Sequence, residues 1–94
     1  MNLRQLKAFQ AVCRTGSITR ASELIHLSQP ALTRQIQELE SYCGCKLFER
    51  TRHGIVLTDE GELFQGRAEE MLALAERTQR ELREAGGFTG GIVR

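Results

Sequence analysis

Mostly apolar residues recur along the first stretch of the chain at three- and four-residue steps: Leu3, Leu6, Phe9 or Gln10, and Cys13, with Ala8 and Val12 beside them. That is the spacing of one helical face. Gly16 follows Thr15 and closes this first helix, because a left-handed end costs glycine little. Ser17 or Thr19 can cap a second helix, barely two turns long, whose short apolar stripe is Ala21, Leu24 and Ile25. His26-Leu27-Ser28 then interrupts the pattern. Ser28 is a good N-cap for a third helix, and Pro30 falls in its first turn, where a missing N–H is not needed. Leu32, Ile36, Leu39 and Cys43 line one side of that helix, and Gly44 ends it. The opposite side carries Pro30, Thr33, Arg34, Gln37 and Ser41.

The character changes at "KLFERTRHGIVLT", from Lys46 to Thr58. Leu47-Phe48 and Ile55-Val56-Leu57 are strand-like pieces on either side of Arg50-Thr51-Arg52-His53-Gly54. The pattern predicts a short two-stranded hairpin with a basic tip and a turn at Gly54. Thr58, Asp59 and Glu60 restart a helix, with a capping hydroxyl and two carboxylates at its positive end. No proline interrupts it before about Ala85. Gly61 and Gly66 are expected to cost it about 1 kcal/mol each relative to alanine.

Phe64, Ala68, Met71, Ala75, Thr78, Leu82 and Ala85 alternate in steps of four and three, the spacing of a helix packed on another helix. The helix is roughly 40 Å long at 1.5 Å per residue. No other helix in the chain has that length, so Phe64, Ala68, Met71, Ala75, Thr78 and Leu82 are expected to form a homodimer interface. "GGFTGG", residues 86–91, reads as a flexible exit. Three segments result: a body over residues 1–58, a dimerisation or linker helix over 59–86, and a hinge over 87–94.

With 94 residues the chain fits one small domain with an appendage and a thin core. Its net charge of +1 conceals an asymmetry. Residues 1–58 hold eight Lys/Arg against four Glu, and residues 59–94 five Arg against eight acids. A basic front and an acidic back suggest two jobs in one chain. Arg4 and Lys7 precede no apolar signal core, and no apolar run approaches the roughly 20 residues of a membrane span. A soluble, cytoplasmic chain with no membrane partner is expected. Cys13, Cys43 and Cys45 are then reduced structural thiols, since Cys43-Gly44-Cys45 has neither the spacing nor the second ligand pair of a zinc site. His26 has no partner at ligand spacing and is expected to pack or to cap. No paired acid and base, activated nucleophile or phosphate-cradling glycine loop occurs, so the expectation is no enzyme, no catalytic residue, no metal and no cofactor.

Three short helices, the third capped and polar on its outer face, followed by a basic-tipped hairpin, spell a winged helix-turn-helix. The fold class expected is mainly α: three helices, a two-stranded wing, then a long linker helix. A helix entering a major groove must turn its apolar side to a supporting helix and its outer side to base edges. Gln can both donate to and accept from a base, Arg forks onto guanine, and short Thr33 permits close approach. The backbone N–H groups near Ser28, Gln29 and Ala31 can also meet a phosphate. Glu38 and Glu40, about a turn from Arg34, are expected to tune its position. Winged helices also serve as protein-interaction modules, and that reading stays open at this level.

"GSITRASELIHLSQPALTRQIQELE" followed by "LFERTRHGIVLTDEG" resembles the N-terminal segment of LysR-type transcriptional regulators, from about Leu3 to the end of the long helix. The resemblance implies sequence-specific binding of double-stranded DNA at a two-fold-related site. It places Gln29, Pro30, Thr33 and Arg34, with Gln37 on the same face, at the major groove. It places Arg50, Arg52, His53 and Gly54 in a wing near the minor groove, and Ser17, Thr19 and Arg20, with Ser28, near phosphates. It further implies a linker helix pairing antiparallel in a dimer, a tetramer for the whole regulator, and a small-molecule effector bound by a larger C-terminal sensing domain beyond this fragment. Two positions depart from the family pattern. His53 stands before the wing glycine where arginine is common, so either Arg52 or His53 takes the minor-groove role. Thr33 stands where serine is common and adds a methyl that can meet thymine.

Overall fold

The structure, a computed structural model, describes residues 1–86. Its elements run α1 (Leu3–Thr15), α2 (Ile18–Leu24), α3 (Gln29–Cys43), β1 (Phe48–Thr51), β2 (Gly54–Leu57) and α4 (Asp59–Ala85). This is a winged helix-turn-helix followed by a long helix. The segment expected as a hinge, 87–94, lies outside the described residues.

Local chemistry sets most boundaries. Asn2, Ser17, Ser28 and Thr58 each accept a backbone N–H from the first turn of the helix they precede. Gly16 and Gly44 end α1 and α3 in the left-handed region, at φ 67° and 76°, where a side chain would be strained. Asp59, Glu60 and Glu62 occupy the first turn of α4 and complement the partial positive charge there.

α1 is the hub, packing on α2, α3, β2 and α4. Phe9 is fully buried at its centre. Its ring lies 5.1 Å from that of Phe48 on β1 and 5.0 Å, edge-on, from that of Phe64 on α4. Such edge and tilted contacts add to the burial of a large apolar side chain. Leu6, Val12, Leu32, Leu39 and Leu47 close the core around it.

Two expectations need correction. Leu24 does not join the apolar side of α2 but is exposed, and Ser22 is buried in its place, donating to the Thr19 carbonyl at 2.8 Å. The α4 stripe is also divided. Ala68 is fully buried within this chain, and Phe64 and Met71 pack against the same core. These three are held by the chain's own core, so Ala68 has no surface left for a second copy. Leu72, outside the heptad pattern, is buried with them. A heptad marks the side of a helix that is covered, not the partner that covers it. Farther on, Thr78 and Leu82 are exposed, Leu82 at 67%, because α4 outruns the body in a molecule 53 Å long and 26 Å wide.

Candidate nucleic-acid interface

The candidate surface is assembled from α2, α3 and the wing. The Ser17 hydroxyl accepts the Arg20 N–H at 3.1 Å, which fixes the first turn of α2 and leaves Thr19 and Arg20 exposed. α2 ends with the Leu27 N–H on the Ser22 carbonyl at 2.9 Å and the His26 N–H on the Glu23 carbonyl at 3.4 Å. This paired closure needs a left-handed residue, and His26 fills that place at φ 59°. The exposed His26 therefore caps through its backbone; its side chain is not part of the packing.

Ser28 accepts the Ala31 N–H at 3.2 Å and starts α3. Leu32, Ile36 and Leu39 are buried against the core. Gln29, Pro30, Arg34, Gln37 and Ser41 are exposed on the outer side, and Thr33 is half-buried between helix and wing. The hairpin pairs Phe48 with Leu57 through Thr51 with Gly54, so only Arg52 and His53 form its tip. Arg50 belongs to a strand, and Gly54 opens β2 at φ 122°. The Thr51 hydroxyl donates to the Gly54 carbonyl at 3.0 Å and accepts the His53 N–H at 3.1 Å, bracing the tip. A side chain at Gly54 would lie 3.1 Å from the Gly16 carbonyl, so the wing passes close over the turn between α1 and α2.

That approach makes an open cleft of about 570 Å³ which brings together Ser17, Thr19, Arg20, Gln29, Thr33, Arg50, His53 and Gly54. A second cleft, about 440 Å³, lies between α3 and β1; it is lined by apolar Ile18, Ile36, Phe48 and Ile55, by Thr33, Gln37 and Thr58, and by charges of both signs, Lys46 and Arg50 with Glu40 and Glu49. Ser28, Pro30, Arg34 and Arg52 lie outside both clefts. Arg20 of α2 and Arg50 of the wing thus line one cleft with Gln29 and Thr33 of α3, a grouping of cations that suits a polyanion.

Glu38 and Glu40 both take partners on other elements. Glu38 accepts from the Gln5 side chain at 3.3 Å, tying α3 to α1. Glu40 accepts the Leu47 and Phe48 N–H groups at 2.8 and 3.3 Å, tying α3 to β1. Sequence spacing carried little sign of the second tie, because its donors are backbone groups of another element. Thr58 was legible as a cap, but not as the residue whose hydroxyl also donates to the Lys46 carbonyl at 2.7 Å.

The cysteines are free thiols, half-buried against the core. Burial pushes the Cys13 thiol up to about 12, helped by the Glu69 carboxylate and opposed by a backbone hydrogen bond. Burial also raises Cys43, with smaller pushes from Cys45 and Glu40 against the N-terminal charge. Among the described residues no group of three His, Cys, Asp or Glu could hold a metal ion, and no helix is long and apolar enough to cross a membrane.

The model of the bacterial regulatory helix-turn-helix proteins of the lysR family matches residues 3–62. The HTH-type transcriptional regulator TfdT of Cupriavidus pinatubonensis (strain JMP 134 / LMG 1197) is 48% identical over 94 residues, all of this chain and 41% of that protein. The chain therefore spans less than half the length of this relative. Among solved structures, that of CbnR, a LysR family transcriptional regulator, superposes with a TM-score of 0.89 at 43% identity, over 92% of this chain and 30% of that one. The CbnR_DBD–DNA complex superposes with a TM-score of 0.87 at 43% identity, over 92% of this chain and 99% of that one.

Proposed function

The chain belongs to the lysR family of bacterial regulatory helix-turn-helix proteins, and from that premise we propose that it binds double-stranded DNA sequence-specifically as the reading head of a transcription regulator. One observation carries the proposal: α3 exposes Arg34 and Gln37 on a helix whose opposite side is buried, and Arg20 and Arg50 line a cleft with its Gln29 and Thr33. α3 enters the major groove with Gln29, Pro30, Thr33, Arg34 and Gln37 toward base edges. Arg50, Arg52, His53 and Gly54 lie at the minor groove. Ser17, Thr19, Arg20 and Ser28 hold phosphates, which position the head without reading sequence. The match to a protein solved on DNA supports this reading.

The protein acts as a dimer on a two-fold-related site. The exposed parts of Phe64 and Met71, with Ala75, Thr78 and Leu82 farther along α4, pair it with a second copy. A tetramer and a small-molecule effector held by a further domain complete the regulator. It is not an enzyme.

The test is binding of a labelled duplex from the protein's own upstream region, against a scrambled duplex, across a salt series. A log–log fall in affinity with salt and a clear preference for the upstream duplex are expected. Arg34→Ala should lose about 1–3 kcal/mol on the specific duplex and much less on the scrambled one. Equal losses on both duplexes remove Arg34 as a base reader. No binding at low salt leaves a protein-interaction module instead.

A further inference from the structure

Among the described residues, the side-chain hydrogen bonds that tie the wing's base to the recognition helix all run to one residue. Glu40 lies in the last turn of α3 with its side chain only 10% exposed, an expensive place for a carboxylate that lacks partners. It accepts two successive backbone N–H groups, from Leu47 at 2.8 Å and Phe48 at 3.3 Å, where β1 begins. Its own carbonyl accepts the Gly44 and Cys45 N–H groups at 2.8 and 3.3 Å. One residue thus ends α3 and starts β1. Lys46 adds little, since its ammonium is 3.7 Å away and its side chain 78% exposed.

Leu47 is a pivot. Its N–H goes to Glu40, its carbonyl accepts the Thr58 N–H at 3.0 Å, and its side chain is buried. The opposite edge of the wing has a longer hold, the Ile55 N–H on the Gly16 carbonyl at 3.4 Å. At about 3.3 Å per residue, Arg52 lies roughly 16 Å along the strand from Leu47. A tilt of about 10° at the pivot therefore moves the tip about 3 Å, and a hydrogen bond does not survive that displacement.

We propose that Glu40 is the positioning residue of the wing: its buried carboxylate, by gripping the first two N–H groups at the base of β1, sets where Arg50 and Arg52 stand relative to α3. The inference rests on the DNA-binding reading above. Glu40 touches no DNA itself. It makes wing and recognition helix one rigid reader, so losing the grip abolishes the wing's contribution and leaves that of α3.

A double-mutant cycle separates this role from a general structural one. Binding of the upstream duplex is measured for Arg50→Ala/Arg52→Ala and for Arg34→Ala, each in the wild-type chain and in Glu40→Met, which keeps the length but has no oxygen to accept the two N–H groups, with thermal melts confirming folded protein. The wing variant should lose at least tenfold in affinity in the wild-type chain and less than threefold in Glu40→Met. Arg34→Ala should lose the same factor in both. Should Glu40→Met not fold, Glu40→Asp carries the same cycle, since it keeps the charge but shortens the reach to Leu47. Equal wing losses in both backgrounds, or no wing loss in the wild-type chain, overturn the inference and leave DNA binding standing. A wild-type chain that binds no duplex overturns both.

Discussion

Gly61 and Gly66 lie in the same helix, and the structure gives them opposite signs. A Cβ at Gly66 would meet nothing within 4 Å. Gly66→Ala should therefore keep the whole helix-propensity gain of about 1 kcal/mol. A Cβ at Gly61 would run into the Leu47 carbonyl oxygen, closer than real atoms approach, and would lie 2.9 Å from Leu57 Cδ2. A side chain can rotate away; this carbonyl cannot, because it accepts the Thr58 N–H and its own side chain is buried. Overpacking of this kind costs about 1–3 kcal/mol, and losing the Thr58 bond adds about 1 kcal/mol. Set against the propensity gain, Gly61→Ala should destabilise by about 2 kcal/mol. Thermal unfolding at fixed protein concentration reads both changes. For a domain this small, 1 kcal/mol moves the midpoint by about 4–8 °C. Gly66→Ala should then rise by about that amount and Gly61→Ala fall by about twice as much. A midpoint that rises for Gly61→Ala as it does for Gly66→Ala would refute the close approach of α4 to the Leu47 backbone.

His26→Gly removes a left-handed strain of about 1 kcal/mol, offset in part by the freedom glycine brings to the unfolded chain. Urea unfolding should show a net gain of about 0.5 kcal/mol, and His26→Val a loss of more than 1 kcal/mol. Cys13 bears on alkaline stability: its folded value of about 12 lies above the ordinary 9.0, so the unfolded chain gives up this proton first. Its contribution is complete below pH 9 and drains away as pH rises toward 12. Cys13→Ala should flatten part of the stability loss across that window, and an unchanged slope counts against the buried thiol.

The elements whose ends depend on nearby atoms could be read directly from the chain. Ser17, Ser28 and Thr58 act on residues three positions away, and Gly16 and Gly44 on their own φ, so sequence places them well. Partners distant in sequence were much less legible. Phe64 and Ala68 have a helix-packing period, but periodicity cannot say whether α1 or a second copy fills the groove. Glu40 stands on the border of an apolar stripe, and nothing in its spacing from Arg34 tells that it binds backbone N–H groups across a turn. His26 was legible as a residue that packs or caps, but not as one whose backbone would do the capping at a positive φ. Gly61 and Gly66 look alike in the sequence and differ only in what lies beside them.

The burial of Phe9 between Phe48 and Phe64 has a consequence for how such a protein is made and reused. Synthesis delivers α1 first, but its covering ring arrives only with the first half of α4. Until residues 64–72 are synthesised, the nascent body holds an open apolar side, a state in which chaperones and proteases compete with folding. The seam at which genes can be spliced therefore does not fall behind the wing. It falls after Leu72, where α4 leaves the body. A recombination event there passes on an intact reading head to whatever follows; one at residue 58 passes on a fragment with its centre uncovered.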